Sequence, residues 1–161
     1  MRGGKGFWLL LGGLVVLHFL LHLGFGIGRA APDLLTLALL LGARSGGMAL
    51  GAGLGFGLGL MQDAFSVLAF GSNALAMTVV GALGSFTREL FVGESILFVF
   101  VYLFAGKWMR DLLQWIAVGE GLREPFFQEM VVASGVSALY LAAVGIVLVA
   151  GLSGGLREAR A

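Results

Sequence analysis

Residues 9–21, LLLGGLVVLHFLL, and residues 96–106, ILFVFVYLFAG, run apolar without alternation. A lipid-facing β-strand alternates apolar and polar side chains, so these runs do not belong to a barrel. Backbone amides in hydrocarbon must pair within their own segment, which leaves the α-helix. The rest of the chain has the same character. Of its 161 residues, 59% are hydrophobic and 12% charged, against a charged share of about 25% in soluble domains. Mean hydropathy is +1.01. The expected fold is all-α: a polytopic membrane protein with six transmembrane helices in one compact bundle, forming a single integral membrane domain. The spans are placed at 7–26, 32–43, 47–61, 72–86, 95–118 and 128–151. The second and third are short for a crossing that needs about 20 residues. They either cross a thinned bilayer with Arg44 snorkelling between them, or form one re-entrant hairpin.

Orientation follows from the basic residues. With six crossings and an inner N-terminus, Arg2, Lys5, Arg44, Arg88, Arg157 and Arg160 fall inside, and Arg29 and Arg123 outside. This is the positive-inside bias, so both termini are expected in the cytoplasm. A cleaved signal peptide is the rival, because Arg2 and Lys5 precede an apolar run and Gly28-Arg29-Ala30 is small-x-small. The length of that run, with His18 and His22 inside it, argues against cleavage. The formal net charge of +1 provides no footprint for nucleic acid. The absence of cysteine excludes thiol nucleophiles, disulfides and cysteine metal sites.

Gly47, Gly51, Gly55 and Gly59 recur at every fourth residue of the third span. In a helix they form a smooth stripe that another backbone can approach closely. Internal packing is the first expectation and a dock for a partner's membrane helix the second. Ser134, Ala138 and Ala142 form a weaker stripe on the last span.

Lys107, Arg110, Asp111 and Gln114 stand at i, i+3, i+4 and i+7, on one face of the fifth span. Lys107 is expected to pair with Asp111. Either this face is an intramembrane polar site, or residues 107–119 are an interfacial helix with snorkelling charges. Under the six-span topology, His18, His22, Asp63, Asn73 and the charged face all lie toward the outer side. They are expected to form an outward-opening polar depression in which Arg110 or Lys107 neutralises Asp63.

Catalytic patterns do not hold. His18 and His22 have i, i+4 spacing but no accompanying HExxH glutamate. Gly151-Leu152-Ser153-Gly154-Gly155 matches GxSxG at a helix exit, without a strand–turn–helix elbow. Gly24-Phe25-Gly26-Ile27-Gly28 follows no strand. Neither an enzyme nor a cofactor or metal site is expected.

Two segments resemble a known family. Ala31-Pro32-Asp33-Leu34-Leu35 ahead of a leucine-rich run is similar to the start of the second span in MreD, the bacterial rod shape-determining membrane protein family. Proline there opens a helix without wasting an amide, and Asp33 suits the positive end of the helix dipole. Gly57-Leu58-Gly59-Leu60-Met61-Gln62-Asp63 followed by Gly71-Ser72-Asn73-Ala74-Leu75 resembles that family's G-x-x-x-D…G-x-x-A-L signature. The resemblance implies a non-enzymatic scaffold in the bacterial inner membrane. Its implied partner is MreC, with MreB, RodA and the elongation transpeptidase in the same complex. It also implies likeness in fold to the substrate-capturing subunits of energy-coupling-factor vitamin transporters, which gives the alternative function. The short outer connections here lack the lid such a subunit needs.

Overall fold

A computed structural model describes residues 4–24, 32–66, 69–90, 95–123 and 125–158, with side chains described except at 23–24, 88–90 and 152–158. Among these residues the regular structure is all helical, joined by short turns. The elements are α1 (Lys5–Phe19), α2 (Leu34–Ala43), α3 (Met48–Asp63), α4 (Ser72–Leu90), α5 (Ile96–Ala117) and α6 (Ser134–Glu158). α1 continues into a π-helical turn at Leu20–Gly24, and another, Phe127–Ala133, leads into α6. The helices fall on the six apolar stretches. Arg2, Arg29 and Arg160, and the side chains of Arg88 and Arg157, lie outside the described residues, as do Phe25–Gly28 and the side chains of Leu152–Gly155.

The shortest helix organises the rest. α2 is apolar on every side, and a helix of that kind belongs in a core. Leu35, Leu37 and Leu39 are fully buried, and α2 touches α1, α3, α4, α5 and α6. Its ten residues measure about 15 Å, half the hydrocarbon thickness of a bilayer. Pro32 does not open it. Asp33 takes the N-cap, accepting from Thr36 N at 3.0 Å and Thr36 Oγ1 at 2.7 Å. This leaves Pro32 one position outside, its carbonyl accepting from Leu34 N at 2.8 Å. The Tyr102 hydroxyl of α5 donates to the Leu40 carbonyl at 2.7 Å and ties the two helices together.

The outside of the bundle is apolar. Two helical stretches, Lys5–His22 and Phe127–Gly151, are long and apolar enough to cross a membrane. Only 17% and 28% of their most apolar windows are buried within the protein, so their side chains point outward. Leu9, Leu97, Phe127 and Val147 are each more than two-thirds exposed. Such continuous apolar surface is foreign to a soluble monomer.

Candidate functional site: a buried polar network

The glycine stripe determines how the site is assembled. Gly51, Gly55 and Gly59 are buried against α4, and a Cβ at each would run into backbone at Gly81, Met77 and Ala74 respectively. The two helices make the most extensive helix–helix contact in the fold. The stripe is therefore occupied internally and does not serve as a partner's dock. Gly47 is the N-cap of α3, exposed and clear of this contact.

The close approach brings the end of α3 against the start of α4. Asp63 is 1% exposed. It accepts from Asn73 N at 3.1 Å, Asn73 Nδ2 at 2.9 Å and Ala74 N at 2.8 Å. A carboxylate ten residues upstream thus caps α4, satisfying amides that a helix start leaves without partners. Gly71 has φ +94°, the left-handed conformation that glycine adopts without strain, and this turns the chain into α4.

The remaining groups extend from Asn73. Its Oδ1 accepts from Arg110 Nη2, which also donates to Gln62 Oε1 at 2.8 Å. Arg110 Nη1 reaches Asp111 Oδ1 at 2.9 Å and Gln114 Oε1 at 3.0 Å. Lys107 Nζ joins Asp111 Oδ1 at 2.6 Å and Asp33 Oδ2 at 3.2 Å. Ser134 Oγ on α6 donates to Asp111 Oδ2 at 2.8 Å. One connected set of side chains therefore links α2, α3, α4, α5 and α6.

The expected pairing of Lys107 with Asp111 is present, and two expectations need correction. Neither base forms an ion pair with Asp63 among the described residues; its oxygens are taken by the amides of α4, and Arg110 reaches it through Asn73. Nor do Lys107 and Arg110 snorkel outward. α5 is continuous, and Lys107 and Arg110 are only 5% and 4% exposed. Lys107 is the twelfth of 22 residues in α5, so α2, whose cap it pairs with, starts level with the middle of that helix.

Two bases face three carboxylates, leaving one formal negative charge. Asp33 and Asp63 sit on the N-termini of α2 and α4, each worth about +0.5 charge, and these dipoles offset the excess. The carbonyls ending α3 are taken up by Ala64, Phe65 and Ser66 amides. The two dipoles thereby balance the charge of the network, while Arg110 Nε is left without a hydrogen-bond partner among the described residues.

His18 is buried and stacks on His22 with centroids 4.1 Å apart. His22 Nδ1 bonds the His18 carbonyl at 3.0 Å. Asp33, Arg110 and Lys107 act electrostatically on His18, which places it beside the network, but no hydrogen bond joins its Nδ1 to a described residue. Among the described residues no group of three His, Asp or Glu side chains could hold a metal ion.

Some participants carry only weak sequence signals. Thr36 is legible as a helix residue three places after an Asp cap. Trp108 Nε1 donates to the Met130 carbonyl at 3.0 Å, within the π-helical turn before α6, and no local pattern announces that partner.

No protein-family model, curated protein or solved structure matches this chain.

Proposed function

We propose that this chain is a six-crossing, MreD-like scaffold of the bacterial inner membrane, non-enzymatic and with both termini in the cytoplasm. It binds the membrane helix of MreC and helps couple MreB filaments to wall synthesis by RodA and its transpeptidase. The observation that carries this reading is the joint between α3 and α4. The residues of the resembling signature meet there: Gly59 lies against Ala74, Asp63 caps α4 through Asn73 and Ala74, and Gly71 makes the turn. The apolar exterior supports a lipid surrounding for the bundle, with α2 enclosed at its centre. α5 is compatible with a crossing because its charges turn inward and are paired, which is how ionisable groups are tolerated at membrane depth.

A scaffold is favoured over ligand capture because the polar groups are spent on one another. Asp33, Asp63, Asp111, Lys107 and Arg110 all bond within the protein, and such a network stiffens a bundle. Depletion of the chain from the rod-shaped cell that carries it tests the reading. The expected outcome is swelling to round cells, reversed by re-expression. Normal rods with impaired uptake of a vitamin would overturn it.

A further inference from the structure

The chain enters α6 through the π-helical turn Phe127–Ala133, a conformation found mostly as a single turn inside an α-helix and often at functional sites. The helix opens with ordinary four-residue spacing, Glu129 N donating to the Pro125 carbonyl at 3.0 Å. By Ser134 the spacing has widened to five, its amide donating to the Glu129 carbonyl. The segment thus contains one residue more than an α-helix needs between the same two ends.

The contacts that hold this surplus residue come from α5. Trp108 Nε1 donates to the Met130 carbonyl at 3.0 Å, in the middle of the turn. At its end, Ser134 Oγ donates to Asp111 Oδ2 at 2.8 Å. Met130 and Ser134 are both buried. A side chain that inserts into a helix's hydrogen-bond ladder is one of the few recognised causes of departure from regular geometry. Trp108 and Asp111 belong to the stretch of α5 that carries Lys107 and Arg110, so the turn is tied to the charge network. Ahead of the turn, residues 125–128 are all exposed. The surplus residue can be returned to that connection at the loss of one edge-to-face ring contact, Phe126 on Trp115.

We propose that Phe127–Ala133 is a two-register segment, latched in its π register by Trp108 and relaxing to α spacing when that bond is lost. The relaxation turns the segment by one residue step, about 100°. Met130, 1% exposed, leaves the inward position, and Val131, 53% exposed, enters it. The face that α6 shows to its surroundings beside the network therefore depends on one bond from α5. The inference concerns the bundle alone and does not depend on the elongation partners.

The test places Met130→Cys or Val131→Cys in the detergent-purified full chain, which has no other cysteine. Alkylation by N-ethylmaleimide is followed by intact mass. With Trp108 present, the thiol at 131 should react and the thiol at 130 should be protected. Trp108→Phe keeps an aromatic ring, removes the N–H donor and should reverse this order. Deleting Val132 removes the surplus residue and makes the segment α-helical with Met130 still facing inward. Added to Trp108→Phe, the deletion should restore the original order, which a simple loss of packing at Trp108 would not allow. Where Trp108→Phe alone does not fold, the deletion should rescue folding, read as a recovered melting transition. An unchanged order in Trp108→Phe, or a deletion that neither restores the order nor rescues folding, would overturn the proposal.

Discussion

The carboxylate of Asp63 holds Asn73 twice, by its backbone amide at 3.1 Å and its side-chain amide at 2.9 Å. The second bond fixes which way Asn73 points, so that its Oδ1 faces Arg110. One carboxylate thereby starts α4 and anchors the charge network of α5 to the α3–α4 pair.

Asp63→Ala leaves two buried backbone amides and the Asn73 side chain without an acceptor. The expected loss is about 3 kcal/mol, from the capping and buried-donor terms together. Asp63→Asn keeps one oxygen and should lose roughly half as much. Thermal unfolding of the detergent-solubilised protein checks both.

Helix α3 offers an internal contrast. Gly55→Ala drives a methyl into the Met77 carbonyl, which is backbone and cannot move aside. The expected cost is about 3 kcal/mol, at the upper end for overpacking. Gly53 and Gly57 face open space on the same helix. Alanine at either should be neutral or stabilise by up to about 1 kcal/mol. The same melting assay separates the two classes.

Much of this was legible beforehand, and the reason is physical. Gly51, Gly55 and Gly59 share a face because 3.6-residue periodicity is a local property, and so do Lys107, Arg110 and Asp111. Whether a stripe faces inward is settled by a neighbour that local periodicity does not identify. Here α4 covers the glycines, and α2, α4 and α6 enclose the charges. The pairing of Asp63 with the Asn73 amides could be approached because only a short connection separates them. The Asp33–Lys107 pair joins residues far apart in sequence and has no local signature. Pro32 was misplaced by one role, since a side-chain acceptor at Asp33 outranks a proline in setting where the helix starts.

Lys107→Met should be among the most damaging changes in α5. It removes the counter-charge of Asp33 and one of those of Asp111 in a buried setting, at an expected cost of about 3–5 kcal/mol. Asp33→Asn keeps the cap acceptor while discharging it. Combined with Lys107→Met it should restore about 1–2 kcal/mol of coupling. A double-mutant cycle on melting midpoints measures that coupling directly.

The proposed six-crossing topology can be tested without background labelling, because the sequence contains no cysteine. A single cysteine replacing Ser45 should react with an impermeant maleimide only from the cytoplasmic side. One replacing Gly121 should react only from outside. Labelling of both from the same side would contradict the expected orientation and span count.

We propose that this bundle serves as a scaffold for another protein's membrane helix. Crosslinking a tagged chain in its native membrane, then identifying the co-purified proteins by mass, is the decisive experiment for that role. MreC is the expected dominant partner, with RodA and its transpeptidase following at lower yield. Recovery instead of the ATPase and transmembrane energising subunits of a vitamin transporter, with no MreC, would contradict it.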